Sequence, residues 1–444
     1  MMIRGLHLTA LSACACALYG TQAGTTPLPL APEEYWQVSP QINYSDPIYA
    51  GWPQLKVDKE VVVYRGTDVG RTYAHHPELY YDGRRVYLQY SSAPIDEDAT
   101  GQESWLTTSI DGGYTWSPSV SILPEALLPN QTTAANYSYW CDNRIYQRAV
   151  HPIAFVPVGG DTLYAVSQTT LRYCWGDDAK GTKAAGRIAR AIDGEGNPVG
   201  DPCWSSQNEW TYEVRYNETV YGIEYGMKMC EHAEQIEAYL REPATTPAWG
   251  SWLYATKLYA ADGTHDMQEP TRAVWFGGDE GGREKRRGGH WERFWRDISG
   301  SRTISHAVWV ERTASPSGDD WYPKAERQRG NAIYRTNIPC VGSKQHLGLL
   351  PGGDRFLVHN PRNNTERLRQ PLTVATSRGA GRAYTGVGVL KTDANTTIAP
   401  DTRGLKRLMF SYPTAVVVDG KLVVSYSENK ENIWVSVVDP ANLL

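Results

Sequence analysis

The chain predicts an all-β fold of the propeller type, and two observations carry that expectation. First, short alternating strands fill the sequence, parted by Gly, Asp and Pro turns. One stretch alone, Met227 to Leu240, has helix formers with apolar residues at helical spacing. Second, one unit recurs: a Gly/Asp turn followed by an apolar strand. Tyr81-Asp82-Gly83 leads into Val86-Tyr87-Leu88, and Gly159-Gly160-Asp161 into Leu163-Tyr164-Ala165. Further copies start at Gly277-Gly278-Asp279, at Gly352-Gly353-Asp354 and at Asp419-Gly420. The clearer spacings are about 70 residues, and a strand-only period of that size reads as propeller blades. A single blade cannot bury both faces, so a ring must close. The apolar strand Glu60 to Tyr64 and the last strands, Ile433 to Val438, are the natural closure.

Composition narrows the partners. With 41% hydrophobic and 21% charged residues the chain reads as an ordinary globule. A net charge of −5 argues against nucleic acid or an anionic membrane surface as partner. Against 5 Phe there are 28 Tyr and 16 Trp, side chains that suit both sugar clefts and strands.

The first 23 residues read as a secretory signal, leaving 24–444 as one propeller domain. Arg4 precedes an apolar run, Leu6 to Leu18, and Thr21-Gln22-Ala23 is a small-x-small cleavage site. Sequons at Asn43, Asn130, Asn136, Asn217, Asn363 and Asn395 agree with an extracellular glycoprotein. Cys141, Cys174, Cys203, Cys230 and Cys340 then remain, an odd number. Two disulfides are expected among the first four, with sequence neighbours as partners and Cys340 reduced. No CxxC, HExxH, phosphate-binding or EF-hand pattern occurs. No cofactor is expected, and a structural calcium is left open.

Ser109-Ile110-Asp111-Gly112-Gly113-Tyr114-Thr115-Trp116 resembles the Asp box of sialidase-like propellers. There the carboxylate caps backbone N–H groups, the glycines take positive φ, and the Trp is buried between blades. A worn copy lies at Ser315 to Trp321. Other motifs are Tyr73-Ala74-His75-His76-Pro77, Asp96 to Gln102, Glu269-Pro270-Thr271, Arg296-Asp297, Ser343-Lys344 and Arg369-Gln370-Pro371-Leu372. Thr336 to Pro339, Leu349 to Gly353, Tyr412-Pro413-Thr414 and Tyr426 to Glu431 complete the set. In order and spacing these resemble the rhamnosyl-glucuronate and ulvan lyase propellers and the related propeller α-L-rhamnosidases.

That resemblance implies seven blades and a pocket at one mouth of the ring. It also implies eliminative or hydrolytic removal of rhamnose linked to glucuronic acid, and the expected protein is a monomeric lyase acting on acidic polysaccharide or arabinogalactan side chains. Elimination needs a base, an acid for the leaving oxygen, and donors that stabilise the enediolate. One of His75 and His76 is expected as base or acid. Strand alternation would put the two on opposite faces, so that at most one sees the pocket. Tyr139 falls where the family places a catalytic tyrosine, with Tyr146 as rival. Arg148, or Arg172 in its place, is the expected carboxylate partner, because a guanidinium pairs a carboxylate bidentately. Arg296 reads either as a second substrate contact or as a salt bridge within its blade. Where some relatives carry another histidine this chain has Ala93, which leaves hydrolysis or simple sugar binding as rival readings. The basic stretch Glu284 to His290 reads as a solvated loop or a guide for an anionic glycan.

Overall fold

A computed structural model describes residues 33–46, 48–97, 101–124, 147–160, 162–172, 183–207, 228–245, 258–259, 265–276, 289–299, 306–318, 328–329, 333–362, 368–379, 381–392, 398–399 and 409–443. Among these the strands form five sheets, taken here in chain order. The first holds β2 (Tyr73–Tyr81), β3 (Val86–Ala93), β4 (Glu103–Ser109) and β5 (Val120–Leu123). The second holds β6 (Gln147–Val158), β7 (Thr162–Arg172), β8 (Lys183–Ile192) and β9 (Pro198–Gln207), followed by α1 (Ala233–Arg241). A larger sheet joins β10 (Leu258–Tyr259), β11 (Asp266–Gln268), β12 (Val274–Phe276), β13 (His290–Asp297), β14 (Ala307–Thr313), β15 (Gln328–Arg329) and β16 (Ile333–Pro339). Next come β17 (His346–Leu349), β18 (Arg355–His359), β19 (Leu372–Ser377) and β20 (Tyr384–Lys391). The last sheet is β21 (Phe410–Val418), β22 (Lys421–Glu428) and β23 (Asn432–Val438). Its outer neighbour is β1 (Val57–Arg65), which pairs antiparallel with β23 from Val57↔Val438 to Arg65↔Asn432.

The sequence pattern locates these elements well. The turns at 81–83, 159–160, 352–354 and 419–420 each lie between two paired strands of a sheet, and the 277–279 copy lies outside the described residues. Pairing of β1 with β23 is the expected union of the two ends of the chain. The seven-blade count remains an expectation from sequence. Helix α1 is shorter than the periodic stretch, because Cys230 is tied instead to Cys203 by a disulfide. That bridge and the buried, free Cys340 match expectation, while Cys141 and Cys174 lie outside the described residues.

Apolar faces of neighbouring sheets pack on each other. Leu79, Val86 and Leu88 of the first sheet meet Val423, Val435 and Val437 of the last. Phe356, Val358 and Val374 meet Leu422, Val424 and Tyr426. Each such side chain stabilises the fold by about 1.5–3 kcal/mol on burial. The Asp box sits between β4 and β5, as expected. Asp111 Oδ1 accepts from the N–H of Tyr114 (3.1 Å) and Thr115 (2.9 Å), and Gly112 and Gly113 have φ of 72° and 94°. Trp116 departs from expectation: it is half-buried, covering the edge of the Leu79–Val437 cluster rather than lying inside it. Its indole N–H donates to Gly113 O at 3.0 Å, so the ring is held by the turn. Only the Ser315 to Gly318 part of the worn copy is described.

Candidate active site

Three residues outside glycine share one backbone peculiarity. His76, Glu269 and Tyr412 have φ of 54°, 54° and 58°, and a proline follows each in sequence. A left-handed residue ahead of proline is costly and persists where the surroundings enforce it, commonly at functional sites. In β2 the pairing with β3 slips between His75 and Glu78, and in β21 the pairing with β22 slips between Ser411 and Thr414. Such bulges re-aim side chains. All three side chains turn toward one another, together with groups from strands of four sheets and from the loops beside them.

The centre is Tyr412. Its hydroxyl donates to Glu269 Oε1 at 3.1 Å and lies 2.7 Å from Arg296 Nη1, which donates to it. Arg296 Nη1 also donates to Glu269 Oε2 at 2.6 Å, and its Nε to Gly342 O at 2.7 Å. Arg369 and Lys344 stand 5.5 and 5.6 Å from the Tyr412 ring centre, and Lys344 donates to Glu78 at 3.1 Å. The His75 ring centre lies 4.2 Å from that of Tyr412 and 4.4 Å from that of His76, which is 5.3 Å from His151. His76 Nε2 is 3.3 Å from Glu97 Oε1, and Lys430 is paired with Glu97 Oε2.

Burial sets the charge states. It raises the Tyr412 phenol above its ordinary range, despite the nearby guanidiniums, so the resting side chain is neutral. Burial alone would pull Arg296 down, but Glu269 outweighs it and holds the guanidinium firmly charged. Arg369 has burial and the neighbouring Arg296 against it, and falls to about 10. Its Nη1 is buried with no hydrogen-bond partner among the described residues. Burial also lowers His75 well below the ordinary imidazole range and brings His76 to about 4 against the pull of Glu97. Burial opposes ionisation of Glu97 too, yet Lys430 keeps it a carboxylate.

Several expectations are corrected here. Both histidines, not one, enter the cluster, because the positive φ at His76 breaks the strand alternation that would have separated them. Arg296 makes the ion pair within its own sheet that was one of its two expected roles, since Glu269 directly follows Gln268, its neighbour in the β11–β13 pairing. It nevertheless touches Tyr412 from another sheet. Tyr139 and Tyr146 lie outside the described residues, as do the side chains of Arg148 and Arg172. Glu269, Arg369 and Tyr412 belong to motifs visible in the sequence yet were not among the expected site residues. The recurrence of a polar or aromatic residue directly before proline, at His76, His151, Glu269 and Tyr412, was the signal that could have found Glu269 and Tyr412, and it does not mark Arg369.

Within the described residues one cluster has metal-ligand spacing, His75, His76 and Glu97, with one donor atom of each within 4.8 Å of the others. Two imidazoles and one carboxylate suit a transition metal rather than calcium. A groove of about 570 Å³ beside Trp36, Ile42, His306 and Asn337 shares no lining residue with the Tyr412 cluster.

Comparison with known proteins agrees on the fold. Residues 56–247 match the family described as "Beta-prop_BT_1020:-like, N-terminal beta propeller". The sequence matches no curated protein. A solved structure titled "Sialidase" covers 91% of this chain at 17% identity with a TM-score of 0.61, and this chain spans 35% of that one. A Dyadobacter fermentans protein of unknown function covers 87% of this chain and is itself covered to 99%, at 14% identity and a TM-score of 0.45. A glycosyl hydrolase from Bacteroides ovatus covers 93%, with 95% of its own chain matched, at 9% identity and a TM-score of 0.38. The family model and the structure titled "Sialidase" support the propeller fold.

Proposed function

We propose that this propeller is a glycan-processing enzyme acting on a sugar that carries a carboxylate, with Tyr412 as nucleophile and Glu269 as its base. The observation that carries the reading is the Tyr412 hydroxyl held between the Glu269 carboxylate and the Arg296 guanidinium. A tyrosine is an uncommon nucleophile for glycoside cleavage, and its use has a physical reason. At an anomeric carbon bearing its own carboxylate, an aspartate or glutamate nucleophile would be repelled. A neutral phenol is not.

The roles follow from the contacts. As Tyr412 Oη bonds to the anomeric carbon, its proton passes to Glu269 Oε1, and the aglycone oxygen leaves with the electron pair of the broken bond. The Arg296 N–H already donated to Oη stabilises the charge that develops there. In the second half water bonds to the anomeric carbon as the phenol oxygen leaves, Glu269 returns its proton to Tyr412 Oη, and the proton that water gives up to solvent balances the one the departed aglycone oxygen takes from it. Two displacements give net retention. Arg369 supplies what the substrate carboxylate needs, a buried guanidinium with an unsatisfied N–H beside the reacting ring. The structure titled "Sialidase" carries the same class of acidic sugar in its title, and supports the reading through fold alone. The signal-like leader and the sequons support an extracellular enzyme working on acidic glycans.

A second reading keeps the elimination suggested by the sequence motifs. The observation favouring it is the pair of neutral imidazoles beside Tyr412, either of which could take a proton from the carbon next to a uronate carboxylate. Two substrates separate the readings: a 4-methylumbelliferyl ketoside of a 2-ulosonic acid, and a rhamnosyl-glucuronate disaccharide. Fluorophore release from the first, with retained configuration, supports hydrolysis through Tyr412. Turnover of the second alone, with ultraviolet absorbance from an unsaturated uronate, supports elimination and overturns the first reading.

A further inference from the structure

Each histidine has one ring nitrogen held by a serine. Ser91 Oγ lies 2.9 Å from His76 Nδ1, and Ser427 Oγ lies 2.6 Å from His75 Nδ1. The second nitrogens are left to the cluster itself: His76 Nε2 is 3.3 Å from Glu97 Oε1, and His75 Nε2 is buried with no hydrogen-bond partner among the described residues. Lys430 is paired with the other carboxylate oxygen, Glu97 Oε2. A buried imidazole nitrogen without such a partner, beside a second imidazole and a carboxylate, is a donor set that a cation would satisfy.

We propose that His75, His76 and Glu97 bind one divalent first-row transition ion, of the zinc, cobalt or manganese kind, beside Tyr412. One donor atom from each residue lies within 4.8 Å of the others. At metal–ligand distances of about 2.0–2.2 Å, neighbouring donors stand about 3–3.5 Å apart, which His76 Nε2 and Glu97 Oε1 already satisfy. Serines on both Nδ1 atoms supply the outer hydrogen bonds that hold metal-ligating imidazoles in place. The site is independent of the glycosidase reading, because it uses neither Glu269 nor the Tyr412 hydroxyl.

The test is titration of the full chain, stripped with chelator, with Co²⁺. Visible absorption, metal content and thermal stability are followed together. One ion per chain, visible ligand-field bands and a raised melting temperature are expected. Glu97→Gln, nearly isosteric, should abolish all three, and so should His76→Asn. Ser91→Ala, which frees the His76 ring, should weaken affinity roughly 10- to 100-fold. Near-ultraviolet circular dichroism checks that each variant is folded; if the histidine variant is not, Glu97→Gln decides. Folded wild type that binds no stoichiometric ion, or binding indifferent to Glu97→Gln, overturns the site. So does a ¹⁵N spectrum showing His76 protonated on both nitrogens, the signature of a plain imidazolium–carboxylate pair.

Discussion

Tyr412 and Glu269, 143 residues apart in sequence, share a hydrogen bond of 3.1 Å, a left-handed backbone and a following proline. The two strained residues hold each other's side chains, and Arg296 bonds to both. If the pair acts as one device, its parts cannot be removed independently. Tyr412→Phe and Glu269→Gln should each lower turnover of an acidic-sugar substrate roughly 10²- to 10⁴-fold. The double variant should be little worse than either single one, as for residues acting as a unit. Steady-state kinetics on the three proteins decide; fully additive losses would show two unrelated roles.

Arg369 is a buried cation whose Nη1 lacks a partner among the described residues. Arg369→Met should therefore raise KM for a carboxylate-bearing substrate roughly 10- to 100-fold, the range of a lost charge-assisted bond. The melting temperature should hold or rise, because burial and the neighbouring Arg296 outweigh the attraction of Glu97 and Glu269 for this charge. A large fall in melting temperature with unchanged KM would assign Arg369 to structure alone.

Stability should decline on mild acidification. Burial lowers His359 to about 3, so this ring is neutral in the native state and charged in the unfolded chain below its ordinary value of 6.5. The unfolded state then binds more protons, and the contribution, complete above pH 6.5, is lost as pH falls toward 3. Glu292 adds the same sign lower down. Burial opposes its ionisation, but His290 and the arginines around it hold it at about 2, so its share is lost between about 4.5 and 2. Melting temperatures across this range should fall for the wild type, and less steeply between pH 6.5 and 4 for His359→Gln. Parallel curves would remove His359 from the account.

The Cys203–Cys230 bridge closes a loop over a separation of 27 residues and anchors the approach to α1. Replacing both cysteines with alanine should cost about 3 kcal/mol, measured by denaturant unfolding. Cys340, its thiol pushed up to about 11 by burial, should resist thiol reagents until the chain unfolds. Rapid labelling of native protein at Cys340 would contradict its burial.

Sheets were easier to read than the site, for a physical reason. Hairpin turns such as Gly352-Gly353 and the Asp box are local, and their residues carry their own geometry. Even the pairing of β1 with β23 showed as two apolar strands at the ends of the chain. The Tyr412 site is different. Its members come from strands of four sheets and from the loops beside them, and their side-chain directions depend on bulges that invert strand alternation, as the joint inward turn of His75 and His76 shows. Alternation is a good guide only where the ladder is regular. Histidines and Arg296 stood out by chemistry, whereas Glu269 and Tyr412 looked like ordinary strand residues until their shared proline context is noticed.

Covalent trapping addresses the central claim most directly. A 3-fluoro-2-ulosonosyl fluoride joins a good leaving group to a fluorine that slows release of the enzyme-bound sugar. Incubation followed by peptide mass spectrometry should find one sugar per chain on Tyr412, and none on the Tyr412→Phe protein. A label on another side chain would contradict the account, as would efficient turnover by Tyr412→Phe.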